Sequence, residues 1–399
     1  MEMSTGEAAV PADQVDAWFD ADDQEPEEPE AAKVDAAEKY AASQIRVVRE
    51  TKDYQLDYLR HALQPGRELI DLSPTYQRRL RWSNKKKSLL IESFLLNIPV
   101  PPIFLYERDY NEYEVIDGRQ RLDAISSFLS NDYALTGLEY WTELIRRRFL
   151  DLPSVLQKGL LRRSLPAVVL LAETEDSDST GVDVRRVLFD RLNTGGVQLN
   201  PQELRNALYP GRLNAVLVDL ARSATFTRVW GIPPYVPGEE EDPPDVLLRN
   251  PLFSSFADAE LVLRFFALRD AMVNRRAGAL RAILDRYMAS NANLDAASLV
   301  EMKDLFTTCL DRLAAVFGDN TFRLGGSNRL SRPLYDALMI ALSQELELDL
   351  TSNAAQIRAE LDGALTNEHT YDILVGRGNT IDAVHQRVDL ARAILRTGV

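Results

Sequence analysis

The spacing of apolar positions changes along the chain, and the change separates a mixed region from a helical one. Between about 45 and 175, short apolar runs predict strands at 69–72, 103–106, 113–116 and 165–172. Helices are predicted in the same region at 52–63, 83–97 and 118–129. Beyond Val182 helical spacing dominates, with predicted helices at 183–193, 201–208, 212–222 and 295–317. We therefore predict an α+β fold, a mixed α/β N-terminal domain followed by an all-helical C-terminal domain.

Charge and proline content refine these boundaries. Residues 1–38 hold 13 acidic residues and one basic residue, with few apolar side chains, so we predict a disordered acidic tail over 1–44. The α/β domain is then assigned to 45–182 and the helical domain to 183–399. We place a hinge at 232–250, which has five prolines. The acidic runs 173–183 and 239–245 are interpreted as solvated loops in preference to an interaction or DNA-mimic role.

Composition excludes several classes of protein. No window approaches the 18 or more apolar residues of a membrane span, and the N-terminus is acidic, unlike a secretory signal. We therefore expect a cytoplasmic protein without membrane contact. The chain has 1 Cys and 3 His, which argues against a disulfide framework and against Cys-based zinc sites. The net charge of −15 argues against nucleic acid at face value, but much of it lies in the tail and in the two acidic loops.

The segment 115–122 (VIDGRQRL) is the strongest candidate for chemistry. A strand there ends in a glycine turn that opens a helix, and a helix start favours anions such as phosphate. Arg119 and Arg121 add guanidinium groups suited to phosphate. Asp117 is placed to hold a ribose hydroxyl, a metal or a water, and Gln120 to orient a water. The alternative is that Asp117 only caps the helix and the arginines only form salt bridges.

A basic strip precedes this segment. Six of the eleven residues from Gln77 to Lys87 are basic, and Tyr76 and Trp82 are interleaved with them. Basic and aromatic side chains together suit nucleotides or the DNA backbone. The candidate DNA-binding residues of the strip are Arg79, Arg81, Lys85, Lys86 and Lys87. A solvated helix face is the alternative, and it fits the three lysines better than Gln77 and Arg78.

A third motif spans 189–207, where one helix ends at two glycines and the next begins. A helix–turn–helix corner accounts for Gly195, Gly196 and the helix cap Asn200. It leaves the cluster of charged and amide side chains at this corner without a role. These residues are Arg191, Asn193, Glu203, Arg205 and Asn206.

The three motifs together resemble the N-terminal domain of GmrSD-type modification-dependent restriction enzymes. The resemblance covers about 52–222 and rests on SPTYQRRLRW, IESFLLNIPVPPIFLYE, IDGRQRL and FDRLNTGGVQLNPQELRNAL, in that order. The family signature is usually written DGQQR, and Arg119 departs from it at the middle position. The domain is similar to the ParB/sulfiredoxin superfamily, so the resemblance implies a ParB-like α/β fold.

The resemblance also implies a function. It implies nucleotide binding and NTP hydrolysis helped by Mg²⁺, with DNA (in modified form) as a partner, in a restriction or phage-defence system. Asp117, Gln120 and Arg121 become candidate catalytic residues, and Asp117 is the candidate metal ligand. The candidate nucleotide-binding residues are Gln77, Arg78, Gly118, Arg119 and Asn193. A DNA-binding or regulatory module without turnover remains the alternative.

No nuclease motif is found in this chain. The HNH domain of the full restriction enzymes carries a His-x-x-Pro motif, and neither His369 nor His385 is followed by it. Glu301-Met302-Lys303 has the spacing of another nuclease signature but lies inside a predicted helix. We therefore expect a nuclease or another defence protein to act as a partner.

Overall fold

The structure is a computed structural model in which 10–22, 49–64, 69–72, 82–171, 200–209, 211–240, 243–276, 278–325, 329–376 and 380–397 are described. It divides into two units. The described residues of the sheet unit lie between 49 and 171. Those of the helical unit are 10–22 and the described residues from 200 onward.

The sheet unit is built on a five-stranded mixed sheet in the order β1-β5-β3-β4-β2. Its strands are β1 (Arg49–Gln55), β2 (Ile70–Asp71), β3 (Ile103–Asp109), β4 (Glu112–Asp117) and β5 (Ser164–Leu170). β4 pairs antiparallel with β3 and parallel with β2. β5 runs parallel to β3 and antiparallel to β1. β2 pairs with β4 at Tyr113 and Glu114, and the end of β4 pairs with β3, where Asp117 lies opposite Phe104.

The described residues of this unit form four α-helices: α2 (Leu56–Ala62), α3 (Asn84–Leu95), α4 (Arg119–Leu129) and α5 (Ser154–Leu161). Ser83 caps α3 by accepting a hydrogen bond from the Lys86 N–H at 3.4 Å. α4 buries Leu122, Ile125 and Phe128, which recur at helical spacing and join the strand residues in one core. This core holds the start of α4 against the sheet.

The other described α-helices lie in the helical unit. They are α1 (Ala12–Asp22), α6 (Pro201–Leu208), α7 (Arg212–Leu220), α8 (Ala224–Trp230), α9 (Asp245–Leu248), α10 (Pro251–Ser254), α11 (Ala257–Val273), α12 (Leu280–Asn291), α13 (Ala296–Phe317), α14 (Arg332–Ser343), α15 (Ala354–Thr366), α16 (Glu368–Val375) and α17 (Ile381–Leu395). α11 and α14 lie at its centre, since nearly every side chain of both is buried. An aromatic core of Trp230, Phe265 and Tyr335 joins them.

The predicted α+β class is confirmed, as are the strands β2 to β5 and the helices α3, α4, α6 and α13. The predicted helix at 52–63 is wrong at its start, because β1 extends to Gln55 and α2 begins at Leu56. Only Tyr54 of β1 is buried, so the strand carries almost no apolar alternation. It forms because its backbone pairs with β5 along its whole length. The ParB likeness stays a prediction.

The tail prediction is wrong for 10–22, which include α1. Val10, Val15 and Phe19 are buried in the core of the helical unit. The mean composition of the tail is that of a solvated chain, yet it contains one amphipathic segment with enough apolar side chains to dock. The rest of 1–44 lies outside the described residues, as does the predicted boundary at 182/183.

The hinge predicted at 232–250 is not found in its described residues, which pack inside the helical unit. Ile232 and Leu247 are buried in the core. Glu239 is only 5% exposed, and its Oε1 accepts a hydrogen bond from Arg222 Nε at 2.5 Å. The prediction of plain solvation is therefore wrong for Glu239, because the acidic run supplies the counter-charge of a buried arginine.

Candidate functional site

Two features of the turn between β4 and α4 favour glycine over any other residue. Gly118 has φ +101°, a conformation that side chains disfavour. A Cβ at this position would lie 2.2 Å from Ile103 Cγ2, at the start of β3. The backbone of the turn therefore lies directly against the neighbouring strand. Gly118 also accepts the first hydrogen bonds of α4, from the N–H groups of Arg121 and Leu122 at 3.0 Å each.

The residues on either side of Gly118 form an ion pair across the turn. Arg121 Nη2 donates to Asp117 Oδ2 at 2.6 Å. Arg121 Nη1 donates to the carbonyl oxygens of Pro101 and Pro102 at 2.5 and 3.0 Å. The Arg121 side chain is 12% exposed and that of Asp117 is 34% exposed. Arg121 thus fixes the Asp117 carboxylate and ties the segment before β3 to α4.

The two carboxylate oxygens of Asp117 differ in their hydrogen bonding. Among the described residues no hydrogen bond reaches Asp117 Oδ1, while Oδ2 is held by Arg121. Asp117 is thus an oriented, partly exposed carboxylate with one oxygen able to accept. Such an oxygen suits a ribose hydroxyl, a water or a hard cation.

Gln120 is used to join two parts of the unit. Its Oε1 accepts a hydrogen bond from the Trp82 N–H at 3.1 Å, two residues before α3 begins. Arg119 is half-buried and already has an interaction partner. Two side chains of the first turn of α4 are therefore engaged in contacts within the protein. The backbone of the same turn carries the positive end of the helix dipole.

The three lysines of the basic strip have different environments. Lys85 and Lys86 are exposed, and Lys86 Nζ lies 4.8 Å from the centroid of the Trp82 ring. Lys87 is only 9% exposed. Its Nζ lies 2.7 Å from Asp123 Oδ2, so its charge is neutralised by α4. Two of the three lysines are therefore presented to solvent.

Several predicted site residues lie outside the described residues: Gln77, Arg78, Arg79, Arg81 and Asn193. Their predicted roles stay predictions. Within the described part of the chain, no group of three or more His, Cys, Asp or Glu side chains could hold a metal ion. A cation at Asp117 would therefore need further ligands from water or from a bound phosphate, which is how Mg²⁺ is often held.

Glu92 on α3 was not foreseen. Its buried carboxylate accepts hydrogen bonds from the N–H groups of Glu139, Tyr140 and Trp141 at 2.8–3.2 Å. Burial would raise the pKa of Glu92, but these three donors outweigh burial and hold the pKa below its usual value. The sequence signal is a glutamate inside the apolar stripe of a helix. Glu92 holds the loop at 139–141 in place, and none of its hydrogen bonds involves Asp117.

The charged residues after Gly196 have structural roles where they are described. Asn200 and Glu203 form a capping box at the start of α6. Arg205 is 1% exposed, and its Nη1 and Nε donate to Glu260 Oε2 and Asp285 Oδ1 at 2.7 and 2.8 Å. Arg205 therefore anchors α6 inside the helical unit.

Comparison with known proteins identifies one domain. Residues 59–210 match the family model described as GmrSD restriction endonuclease, N-terminal domain. This segment is similar to that domain. The matched segment contains β2 to β5, the Gly118 turn and α6, so the region of similarity includes the Asp117–Arg121 ion pair. It also places this part of the chain in the context of restriction.

Searches of the curated proteins and of the solved structures each found no match. In the part of the chain that the structure describes, no helix is both long enough and apolar enough to cross a membrane.

Proposed function

We propose that the GmrSD N-terminal domain of this chain binds a nucleoside triphosphate at the Gly118 turn, in a system that senses modified DNA and restricts foreign DNA. The observation that carries the proposal is the Asp117 carboxylate. Arg121 holds one of its oxygens at 2.6 Å, and the other accepts no hydrogen bond within the described part of the chain. A fixed carboxylate oxygen beside a helix start places an acceptor for a hydroxyl next to a position that favours phosphate, which suits a ligand with both groups.

The phosphates would lie at the start of α4. The dipole of the helix favours negative charge there, and the backbone at Gly118 can be approached closely because no side chain projects from it. Arg119 supplies a guanidinium group in the first turn. Arg121 is a positioning residue in this arrangement, since its Nη atoms already bind Asp117, Pro101 and Pro102.

Mg²⁺ fits the same arrangement. Asp117 would be its protein ligand, and the ion would neutralise phosphate charge during transfer to water. Gln120 would orient a water from the position in which the Trp82 N–H holds its Oε1.

A DNA-binding module without turnover is the second candidate, and the exposed end of α3 favours it. Lys85 and Lys86 project into solvent beside Trp82. Lysines at such a position would contact phosphates without reading sequence. In this case the Gly118 turn would receive a DNA phosphate.

Nucleotide binding and phosphate release in the presence of Mg²⁺ test the proposal. The full chain is compared with Asp117→Asn and with Asp57→Asn, a matched change at an exposed carboxylate of α2. We expect Asp117→Asn to lose both NTP binding and phosphate release, and Asp57→Asn to keep both. Binding without release would favour the module without turnover. Salt-sensitive DNA binding without any NTP binding would overturn the nucleotide site.

A further inference from the structure

Three helices of the helical unit, α11, α12 and α13, enclose a cleft between them. Its volume is about 420 Å³, and small-molecule sites in proteins measure roughly 300–1,000 Å³. Each helix contributes one face to the walls, since its lining residues recur three or four positions apart. The cleft is therefore large enough to enclose a small molecule.

The cleft has a buried floor and an exposed rim. Phe266 on α11 and Tyr287 on α12 form the floor, and they are 4% and 9% exposed. Met302 and Leu305 on α13 are half-buried and supply an apolar wall. Glu301 is exposed and lies at the rim. An occupant would therefore place apolar surface against α13 and lose contact with water at its inner end.

Arg269 lines this cleft without a counter-charge. It is partly buried, and it forms no ion pair and no hydrogen bond with any described residue. Other arginines of the unit are fully paired at similar or greater depth, since Arg205, Arg222 and Arg264 each bind a carboxylate. A guanidinium that is withdrawn from water without an anion loses hydration that nothing replaces. An anion bound in the cleft would supply the missing partner.

Tyr287 adds a second donor at the floor. Its hydroxyl forms no hydrogen bond with a described residue. Burial, followed by the nearby charge of Asp270, raises the pKa of Tyr287 to about 12, so the hydroxyl stays protonated at neutral pH. The charge of Arg269 acts on the same hydroxyl in the opposite direction. An anionic group at the floor of the cleft thus has two candidate donors, one on α11 and one on α12.

The acidic residues of the cleft limit the charge of its ligand. Asp270 is already neutralised, because Asn274 Nδ2 donates to its Oδ1 at 2.7 Å and Arg276 Nη1 lies 3.4 Å from its Oδ2. Glu301 has no cationic partner in the described part of the chain. An unpaired cation in the wall and an unpaired acid at the rim favour a monoanion over a dianion such as a phosphate monoester.

We propose that this cleft is a binding site for a small monocarboxylic acid with an apolar chain. The carboxylate lies against Arg269, whose planar guanidinium matches its two oxygens. The chain lies along Phe266, Met302 and Leu305. This site lies in the helical unit and does not depend on the nucleotide proposal.

Calorimetric titration of the full chain with three eight-carbon probes tests the ligand class. Octanoate, octylamine and octan-1-ol share the apolar chain and differ in the charge of the head group. We expect octanoate to bind saturably with one-to-one stoichiometry, and the other two probes to bind at least about tenfold more weakly. The proposal is overturned if octanoate does not saturate a site, or if octylamine or octan-1-ol binds as tightly as octanoate.

Variants of the full chain locate the bound octanoate. Arg269→Met keeps an apolar stem and removes the charge, so octanoate affinity should fall at least about tenfold, towards that of octan-1-ol. Arg286→Met, at an exposed arginine of α12, is the matched control and should change nothing. Thermal unfolding without ligand establishes that each variant is folded. Octanoate affinity that is unchanged in Arg269→Met, or equally weakened in Arg286→Met, would contradict the site.

A second variant keeps the charge and fills the space. Met302→Trp enlarges a half-buried side chain of the wall, so octanoate binding should be lost although Arg269 is intact. This variant also decides the location if Arg269→Met does not fold. Octanoate binding that survives in Met302→Trp would place the ligand outside the cleft and overturn the proposal.

Discussion

Lys87 Nζ lies 2.7 Å from Asp123 Oδ2, so the last lysine of the basic strip is tied to α4 while its two predecessors are exposed. The three consecutive lysines therefore have two different roles. Lys87 contributes to the packing of α3 against α4, and Lys85 and Lys86 are available to a polyanion.

A Lys85→Gln/Lys86→Gln variant is expected to weaken DNA binding in a salt-dependent way. The slope of log affinity against log salt should fall by about 1 for each lysine that contacts a phosphate. Lys87→Gln should leave the slope unchanged and lower the free energy of unfolding by about 1–2 kcal/mol, because Asp123 loses its partner. Fluorescence anisotropy over a salt series measures the first effect and urea unfolding the second. Lys158→Gln, at an exposed position of α5, is the control, and a Lys87 effect on the slope would contradict this assignment.

Gly118→Ala is expected to destabilise the sheet unit. The change places a side chain at φ +101° and a Cβ within 2.2 Å of Ile103 Cγ2. Together these should cost about 2–5 kcal/mol of unfolding free energy. Gly159→Ala is the matched control, since Gly159 lies exposed in α5 with no atom near its added Cβ, and it should gain about 0.5–1 kcal/mol. Denaturant unfolding of both variants checks the pair, and equal stability would show that the turn relaxes without strain.

Glu92→Gln is expected to lower stability at neutral pH by about 1–3 kcal/mol, because an amide replaces a carboxylate that accepts three backbone N–H bonds. The pKa of Glu92 is lowered in the folded protein, so its stabilising effect is present above the unfolded pKa of about 4.3. The effect is lost as pH falls through the folded pKa. The difference between the wild-type chain and Glu92→Gln should therefore shrink below about pH 4. Glu143→Gln, at an exposed glutamate, should show no such difference in urea unfolding at either pH.

Arg205→Met is expected to be among the most damaging single changes in the helical unit. It leaves the buried carboxylate of Glu260 and the largely buried one of Asp285 without a shared cation, which should cost about 3–5 kcal/mol. Arg249→Met provides the contrast, because Arg249 is 82% exposed and lies 4.0 Å from Asp245, so it should change stability by less than about 0.5 kcal/mol. Thermal unfolding of the two variants distinguishes them. Similar melting temperatures would mean that the network relaxes around the lost cation.

The elements that were predicted correctly are those set by local sequence. Ser83, the apolar stripe of α3 and the Gly118 turn are each determined by residues within a few positions. β1 was missed because its partner β5 is distant in sequence and only Tyr54 is buried. α1 was missed because its burial depends on Trp230 and Arg332, far along the chain.

The same distinction applies to the candidate site. The sequence placed Asp117 and Arg121 on either side of a turn, and their ion pair spans four residues. It could not show that Arg121 also binds the carbonyl oxygens of Pro101 and Pro102, because backbone acceptors have no sequence signature. Glu92 was missed for the same reason, since its donors are backbone N–H groups of a distant loop.

The contact between Gly118 and Ile103 has a consequence for recognising active members of this domain family. Because the glycine is demanded by the closeness of β3, natural selection for a folded sheet retains it whether or not the turn binds a ligand. Asp117 is under no such steric demand, since its side chain is partly exposed. Substitution frequencies at the two positions among homologues would therefore separate selection for the fold from selection for ligand binding. Asp117 is the informative position, because only ligand binding would keep it constant.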